Sequence, residues 1–284
     1  MFSDQRYKDL KLKLTRYFIE WNAINQPREL EQADAFVNAA RQNGVKVLMH
    51  VSADDVKSKP RKPLPSAGKY RTKVRKLVQR YKPLGVSDWG AWNEANHHTQ
   101  PTDKKPKSAA RFFKTMRSIC SGCRIVALDV LDERGVESYI NTFYKTLGRT
   151  DDRRAKIIGI HNYSEVNRKR TKGTKQFPGT KRIIDAARTH NRSAKFWYTE
   201  TGGLVTLGSS FPCNPTRAAN RIRFMFTRAK KFRKFIQRLY TYNWTPTALC
   251  GGDGTGFDAG LVNPDGTPRP AYAVFKSKLK DFKR

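Results

Sequence analysis

Acidic residues are scarce in this chain of 284: 24 Asp and Glu stand against 57 Lys and Arg, a formal charge of +33 at pH 7. That imbalance predicts attraction to polyanions of any kind, whether nucleic acid, acidic polysaccharide or an anionic surface. No zinc finger, aromatic RNA-binding signature or arginine-rich arm gathers the charge into a reader, so nucleic acid is expected only as a non-specific partner. The basic residues fall instead in runs such as "KKFRKF", "RTKVRKLVQR" and "KSKLKDFKR", the pattern of solvated helix faces. Long apolar runs are missing too. "IVAL" and "VLMHV" fall far short of the roughly 20 residues that cross a bilayer, and no apolar signal region follows Met1. The chain as given reads as soluble, with no membrane partner.

Cysteine is also sparse, with four in all. Cys120 and Cys123 share "CSGC", while Cys213 and Cys250 lie in "FPCNP" and "ALCGG". A four-thiolate zinc site needs two CxxC units and only one is present, so no metal and no cofactor is expected. Disulfides fit better and point to an oxidising compartment; reduced, unlinked thiols are the other reading. "CSGC" closes a helix rather than opening one, which argues against a thioredoxin-like redox role.

An apolar content of 38% is enough for a sizeable core. Seven β-rich runs are visible, at 12–21, 45–52, 87–94, 124–131, 155–163, 195–200 and 238–244. Helical spacing fills the intervals at 28–43, 68–81, 108–119, 135–147, 179–190 and 215–232, with a last helix at 270–282. Near-continuous apolar strands alternating with helices imply parallel strands covered by helices, as a closed barrel or a doubly wound sheet. One domain over 1–284 is expected, with no internal repeat. Two loops rich in turn formers, 57–68 and 250–261, follow strands directly. The second lacks the acidic spacing and terminal glutamate of an EF-hand.

The carboxyl ends of the strands are consistently polar. Glu20, Trp21 and Asn22 close the first run, His50 the second, Asn93 and Glu94 the third, Asp129 the fourth, His161 and Tyr163 the fifth, Glu200 the sixth and Trp244 the seventh. In a parallel barrel these converge on one mouth, and indole and phenol rings among them favour a carbohydrate or similar polar-ring ligand. Glu94 after "WGAWN" and Glu200 after "FWYT" stand out. Two carboxylates about 5 Å apart can break a glycosidic bond with retention, one as nucleophile and the other as acid and then base.

"WNEAN" and "YTETGG" resemble the acid/base and nucleophile signatures of the clan A glycoside hydrolases, and most closely their cellulase-like, actinobacterial members. The resemblance extends over nearly the whole chain. It implies a (β/α)8 TIM-type barrel, retaining hydrolysis of a poly- or oligosaccharide, Glu94 as acid/base and Glu200 as nucleophile. It further implies that Asn93 meets the sugar 2-hydroxyl, Arg16 steadies the nucleophile, Tyr163 hydrogen-bonds to it, and Trp244 forms a platform under the sugar. His50 matches a strand-three histidine; His161, Trp21, Glu20, Asp129 and Asp258 are positional candidates. Ala95 stands where many members have proline.

Glu94 ends the third strand and Glu200 the sixth, where the family has them after the fourth and seventh. A missing first strand explains both shifts: "MFSDQRYKDL" becomes the first helix, and strand one, with any secretion signal, lies outside this chain. The expectation is a seven-stranded barrel with two exposed edges, either less stable than a full barrel or with the gap filled by a loop, a ligand or another protomer, and an activity impaired by the lost wall. The substrate is expected to be a glycan, with an anionic one compatible with the charge, and the full-length protein to be extracellular. The alternative is a catalytically silent carbohydrate- or polyanion-binding barrel. Cys213 and Cys250, in adjacent mouth loops, are a candidate bridge, and Cys120 and Cys123 a local one.

Overall fold

A computed structural model describes residues 1–54, 63–168, 178–246 and 256–282. In chain order the elements are α1 (Gln5–Asp9), β1 (Leu14–Glu20), α2 (Pro27–Gln42), β2 (Lys46–Ser52), α3 (Ala67–Tyr81), β3 (Asp88–Gly90), α4 (Pro106–Ile119), β4 (Arg124–Leu131), α5 (Val136–Asp152), β5 (Ile157–His161), α6 (Tyr163–Asn167), α7 (Gly179–His190), β6 (Lys195–Thr201), β7 (Thr206–Leu207), α8 (Pro215–Lys231), β8 (Ile236–Thr241), β9 (Phe257–Asp258) and α9 (Pro270–Leu279). The helices begin where local chemistry dictates. Proline opens α2, α4, α8 and α9, at the position where its missing N–H costs nothing. The side chains of Asp4, Ser66 and Asn214 cap α1, α3 and α8 by accepting from backbone N–H groups.

Seven strands form one sheet in the order β1-β2-β3-β4-β5-β6-β8, and every neighbouring pair is parallel. Consecutive strand order with a helix after each strand is the winding of a (β/α)8 barrel, and among the described residues the ring is one strand short. β1 and β8 lie near one another but share no ladder. A separate two-stranded ribbon, β7 with β9, lies in the loops beyond β6 and β8.

The main core lies between the sheet and the outer helices, around Val37, Val74, Leu77, Phe112, Phe143 and Ile183. The inside of the barrel is layered. Its floor is Leu48, Val126, Trp197 and Tyr240, with Leu14 and Ile157 packed against them. Buried Asp88 accepts from Arg124 Nε at 2.6 Å and from Arg238 Nη1 at 2.6 Å, and the Arg238 guanidinium stands 4.0 Å over the Trp197 ring. The floor is therefore packed and charge-paired, and the working end is the opposite one, where the strands' carboxyl ends lie.

Two glycines make room for what lies above that floor. A Cβ on Gly90 would fall 2.0 Å from the His50 ring, and one on Gly159 would fall 1.9 Å from Asp129 Oδ1. Only glycine at these two strand positions lets a histidine and an aspartate fold into the barrel lumen.

Candidate active site

Arg16 on β1 gathers side chains from five strands or strand ends. Its Nη1 donates to Glu200 Oε2 at 2.7 Å, its Nη2 to Asn93 Oδ1 at 2.6 Å and its Nε to His50 Nδ1 at 3.1 Å. Asp129 Oδ2 lies 3.5 Å from Nη2. His161 binds Asp129 Oδ2 through Nε2 and Glu94 Oε1 through Nδ1, each at 2.9 Å. Tyr163 donates its hydroxyl proton to Glu200 Oε1 at 2.9 Å, and Thr199 donates to Asp129 Oδ1. His50, Asp129, His161 and Thr199 are fully buried, and Asn93 and Glu200 nearly so.

The backbone places the two glutamates. β3 is short, but the chain beyond it keeps bonding to its neighbours: Asn93 N–H donates to Val51 O at 2.8 Å and Ala95 N–H to Asp129 O at 2.8 Å. Between them Glu94 adopts φ +46°, a conformation rare for a side-chain-bearing residue and typical of constrained sites. Its N–H donates to Asp129 Oδ2 at 3.2 Å. On β6 the register shifts between Tyr198 and Thr201. Strand neighbours ordinarily point to opposite faces; this irregularity lets Thr199 and Glu200, adjacent in sequence, both reach lumen partners.

The electrostatics follow from burial and charge. Burial opposes a charge on His161, but Asp129, Glu200 and Glu94 overcome it and push its pKa up to about 10, so it is an imidazolium. Burial dominates at His50 and lowers it to about 3; it is neutral, and its Nδ1 lone pair accepts from Arg16. Asp129 is ionised: burial raises its pKa, but the charged His161 and Arg16 bring it well below the carboxylate range. Glu94 is lowered, because the His161 contact outweighs burial. Glu200 is raised, by burial first and then by the Glu94 carboxylate, against the pull of His161, Arg16 and Tyr163. Two cations thus face three carboxylates in one buried cluster.

One oxygen of Glu94, one of Glu200 and one nitrogen of His161 lie within 4.8 Å of one another. The donor set resembles a metal site, but its histidine is charged and has no lone pair to give, and Arg16 already occupies Glu200. The group is better suited to proton transfer and nucleophilic attack.

Among the residues expected at the mouth, Arg16, His50, Asn93, Glu94, Asp129, His161, Tyr163 and Glu200 come together. Trp244 lines one cavity with Arg16 and Glu200, and its ring packs edge-on against Tyr7 at 5.3 Å and Tyr272 at 5.9 Å. Trp21 packs against the outer core and bonds through its backbone to Ser52, and Glu20 accepts from Gln26 Nε2 at 2.6 Å. Asp258 is buried and paired with Arg269 at 2.7 Å, holding the ribbon rather than facing the glutamates. Thr199 goes unnoticed by sequence reasoning, as does an aromatic rim of Phe18, Tyr242 and Phe257 beside Tyr163; the only signal is their place just inside or beyond strand ends.

Cys120 and Cys123 are bridged. Cys213 is also disulfide-bonded, and Cys250, its expected partner, lies outside the described residues, as do parts of both irregular loops. No helix among the described residues is long and apolar enough to cross a membrane.

The fold is that of a (β/α)8 barrel short of one strand among the described residues, with two glutamates paired at the carboxyl ends of its strands. No protein-family model matches the sequence, and no curated protein matches it. Solved structures of the same fold do match. GH5_18 from Streptomyces cattleya, in complex with GlcNAc, has a TM-score of 0.67 at 16% identity, over 98% of this chain and 73% of that one. A GH10 endoxylanase retrieved from sugarcane soil metagenome has a TM-score of 0.62 at 14% identity, over 95% and 98%. Xylanase B from Clostridium stercorarium F9 has a TM-score of 0.63 at 16% identity, over 95% and 91%. At these identities the likeness is one of fold: the resemblance carried by "WNEAN" and "YTETGG" extends to the architecture of glycoside hydrolases.

Proposed function

We propose that the protein is a retaining glycoside hydrolase acting on O-glycosidic bonds of a poly- or oligosaccharide, with Glu200 as nucleophile and Glu94 as acid and then base. The observation that carries this reading is the pair itself: carboxylate oxygens of Glu94 and Glu200 within 4.8 Å of each other, each with different partners. That separation fits direct attack by the second carboxylate, whereas inverting enzymes space theirs about 6.5–9.5 Å apart to admit a water.

The roles follow from the contacts. Glu200 attacks the anomeric carbon while Glu94 gives a proton to the departing glycosidic oxygen, leaving a glycosyl ester on Glu200. Glu94, now a carboxylate, takes a proton from water, whose oxygen displaces Glu200 and frees the sugar. Arg16 and Tyr163 hold one oxygen each of Glu200 and neutralise its charge as the ester breaks. His161 positions the acid/base: its Nδ1–H donates to Glu94 Oε1 at 2.9 Å, which orients the carboxyl and steadies the carboxylate left once Glu94 has given its proton away. Asn93, held by Arg16, is set to meet the sugar 2-hydroxyl, and Phe18, Tyr242 and Phe257 offer apolar faces to the ring. The cysteine bridges favour work in an oxidising, extracellular setting.

A panel of neutral glycans, xylan and N-acetylglucosamine oligomers among them, and of anionic glycans tests the proposal with wild type and with Glu94→Gln and Glu200→Gln. Expected is hydrolysis that falls by at least 10²-fold in either variant, with the first-formed sugar retaining its anomeric configuration by NMR. An inverted product, or variants as active as wild type, refutes the assignment. Binding that survives in both variants while wild type cleaves nothing identifies a silent carbohydrate-binding barrel instead.

A further inference from the structure

The short helix α6 carries Tyr163, and with it a hydrogen bond to Glu200, yet its own start is not capped locally. Asn162, at the cap position, makes no side-chain bond to the helix; its Oδ1 accepts instead from Thr201 Oγ1 at 2.6 Å. The first N–H groups of a helix have no partner inside it, and buried ones need one from outside. Asp132, just past the end of β4, supplies it. Its Oδ1 accepts from Ser164 N–H at 2.9 Å and its Oδ2 from Glu165 N–H at 2.6 Å. Asp132 is fully buried and held from two sides. Its own N–H donates to His161 O at 3.0 Å, and a Cβ on Gly179 would fall 2.5 Å from its Cβ and Oδ2, so α7 starts with a glycine that leaves room for it. None of the reaction steps uses this carboxyl.

We propose, resting on the hydrolase reading, that Asp132 is a positioning residue for the nucleophile: by holding the first turn of α6 it sets the Tyr163 hydroxyl on Glu200 Oε1. Tyr163 directly precedes the two N–H groups that Asp132 holds, so any rotation or slide of α6 carries the phenol with it. The hydroxyl reaches Glu200 Oε1 at 2.9 Å. Such a bond holds over about 2.5–3.0 Å, so a displacement of roughly half an ångström weakens it sharply. Two successive N–H groups call for two acceptor oxygens on one carbon, and an amide, with one acceptor and one donor, fits only half of that demand.

The other contacts of α6 fit the same role. At its far end Asn167 Nδ2 donates to Gly202 O at 2.9 Å and Asn167 Oδ1 accepts from Leu204 N–H at 2.7 Å, which ties the helix to the chain just after Glu200. Glu165 accepts from Arg228 on α8 and from Thr180 on α7. The end of β4 thus serves both glutamates: Asp129 fixes His161 and the backbone of Glu94, and Asp132, three residues on, fixes the tyrosine that holds Glu200.

The test reads the ionisation of Glu200. Burial raises its pKa, helped by Glu94, while His161, Arg16 and the Tyr163 hydrogen bond lower it, and Tyr242 also faces it. Losing the Tyr163 bond therefore raises the Glu200 midpoint further. That midpoint is followed by carbon-13 NMR of the whole protein labelled at its glutamate carboxyls, with the Glu200 signal assigned by its loss in Glu200→Gln. Tyr163→Phe is expected to raise it by about one pH unit, Asp132→Asn by a similar amount, and the double variant no further than Tyr163→Phe alone. Gly179→Ala, which presses a methyl on the Asp132 carboxyl, is expected to act in the same direction and serves if Asp132→Asn does not fold. Tyr144→Phe loses a buried bond to Ala155 O and is expected to lower the melting temperature without moving the midpoint. An unmoved midpoint in Asp132→Asn or in Tyr163→Phe overturns the proposal. So do shifts that add in the double variant, or an equal shift in Tyr144→Phe, which would mean general loosening. The titration needs no turnover: the expected shifts in a protein that cleaves no glycan would uphold the placement and refute the hydrolase reading.

Discussion

His161 shapes the working pH range of the cluster, because its charge favours the carboxylate form of Glu94. With its pKa near 10, the imidazolium persists through neutrality and is lost as pH rises through that value. Glu200 must be ionised to attack, and its pKa lies above the ordinary carboxylate range, so activity falls on the acid side as protonation sets in. The acid limb of the pH–rate profile, set by Glu200, is therefore displaced upward, and the alkaline limb, set by Glu94, downward, relative to an ordinary pair of glutamates near 4.3. His161→Gln removes the cation that lowers the Glu94 pKa, so Glu94 holds its proton to higher pH and the alkaline limb is expected to move up by more than one pH unit. A profile whose alkaline limb stays in place would show that His161 is structural only. Asp129 acts one step further back, fixing His161 and the Glu94 backbone without reaching the space between the glutamates.

Glycine spacing within the strands is as decisive as the polar residues. Gly159→Ala drives a methyl into Asp129 Oδ1 and Thr199 Oγ1, the latter 2.6 Å away, and overpacking of this kind costs about 1–3 kcal/mol. The denaturant midpoint is expected to fall while its slope is unchanged, and hydrolysis to fall with it, since Asp129 can no longer hold His161. Each of the seven strands is legible beforehand because its apolar run is near-continuous and ends in a polar residue. The helices are legible from their period, α5 included, whose regular part stops at Gly148 with φ +73°. Other elements escape. β7 and β9 have two residues each, too few for any period, and α6 starts at the residue that sequence reading assigns to the end of a strand. Glu94 and Glu200 could be named because charges are conspicuous in apolar strands, and Arg16 through the resemblance to the clan A glycoside hydrolases. The neighbours of Trp244 could not be read, because a ring just past a strand end turns inward or outward according to packing that sequence spacing does not encode.

At the scale of the molecule, a charge of +33 surrounds a cleft in which carboxylates outnumber cations. Polyanions are therefore expected to bind the outer helix faces and not the mouth. Affinity for a short DNA duplex, measured by anisotropy, should fall linearly in log–log form with salt, and Glu94→Gln with Glu200→Gln should leave it unchanged; salt-insensitive binding would contradict this. The open ring also changes what the Arg16–Glu200 contact means. With no ladder from β1 to β8 among the described residues, that ion pair is a direct tie between the first strand and the far side of the barrel, so the proposed nucleophile doubles as a latch. Replacing an active-site residue often stabilises an enzyme, because function carries strain. Here Glu200→Gln is expected to lower the melting temperature, since the chain loses its reactive group and its clasp together. Mutational robustness would then run in the unusual direction: variants that drift toward inactivity at this position also drift toward unfolding, and a selection for stability alone would keep the catalytic glutamate.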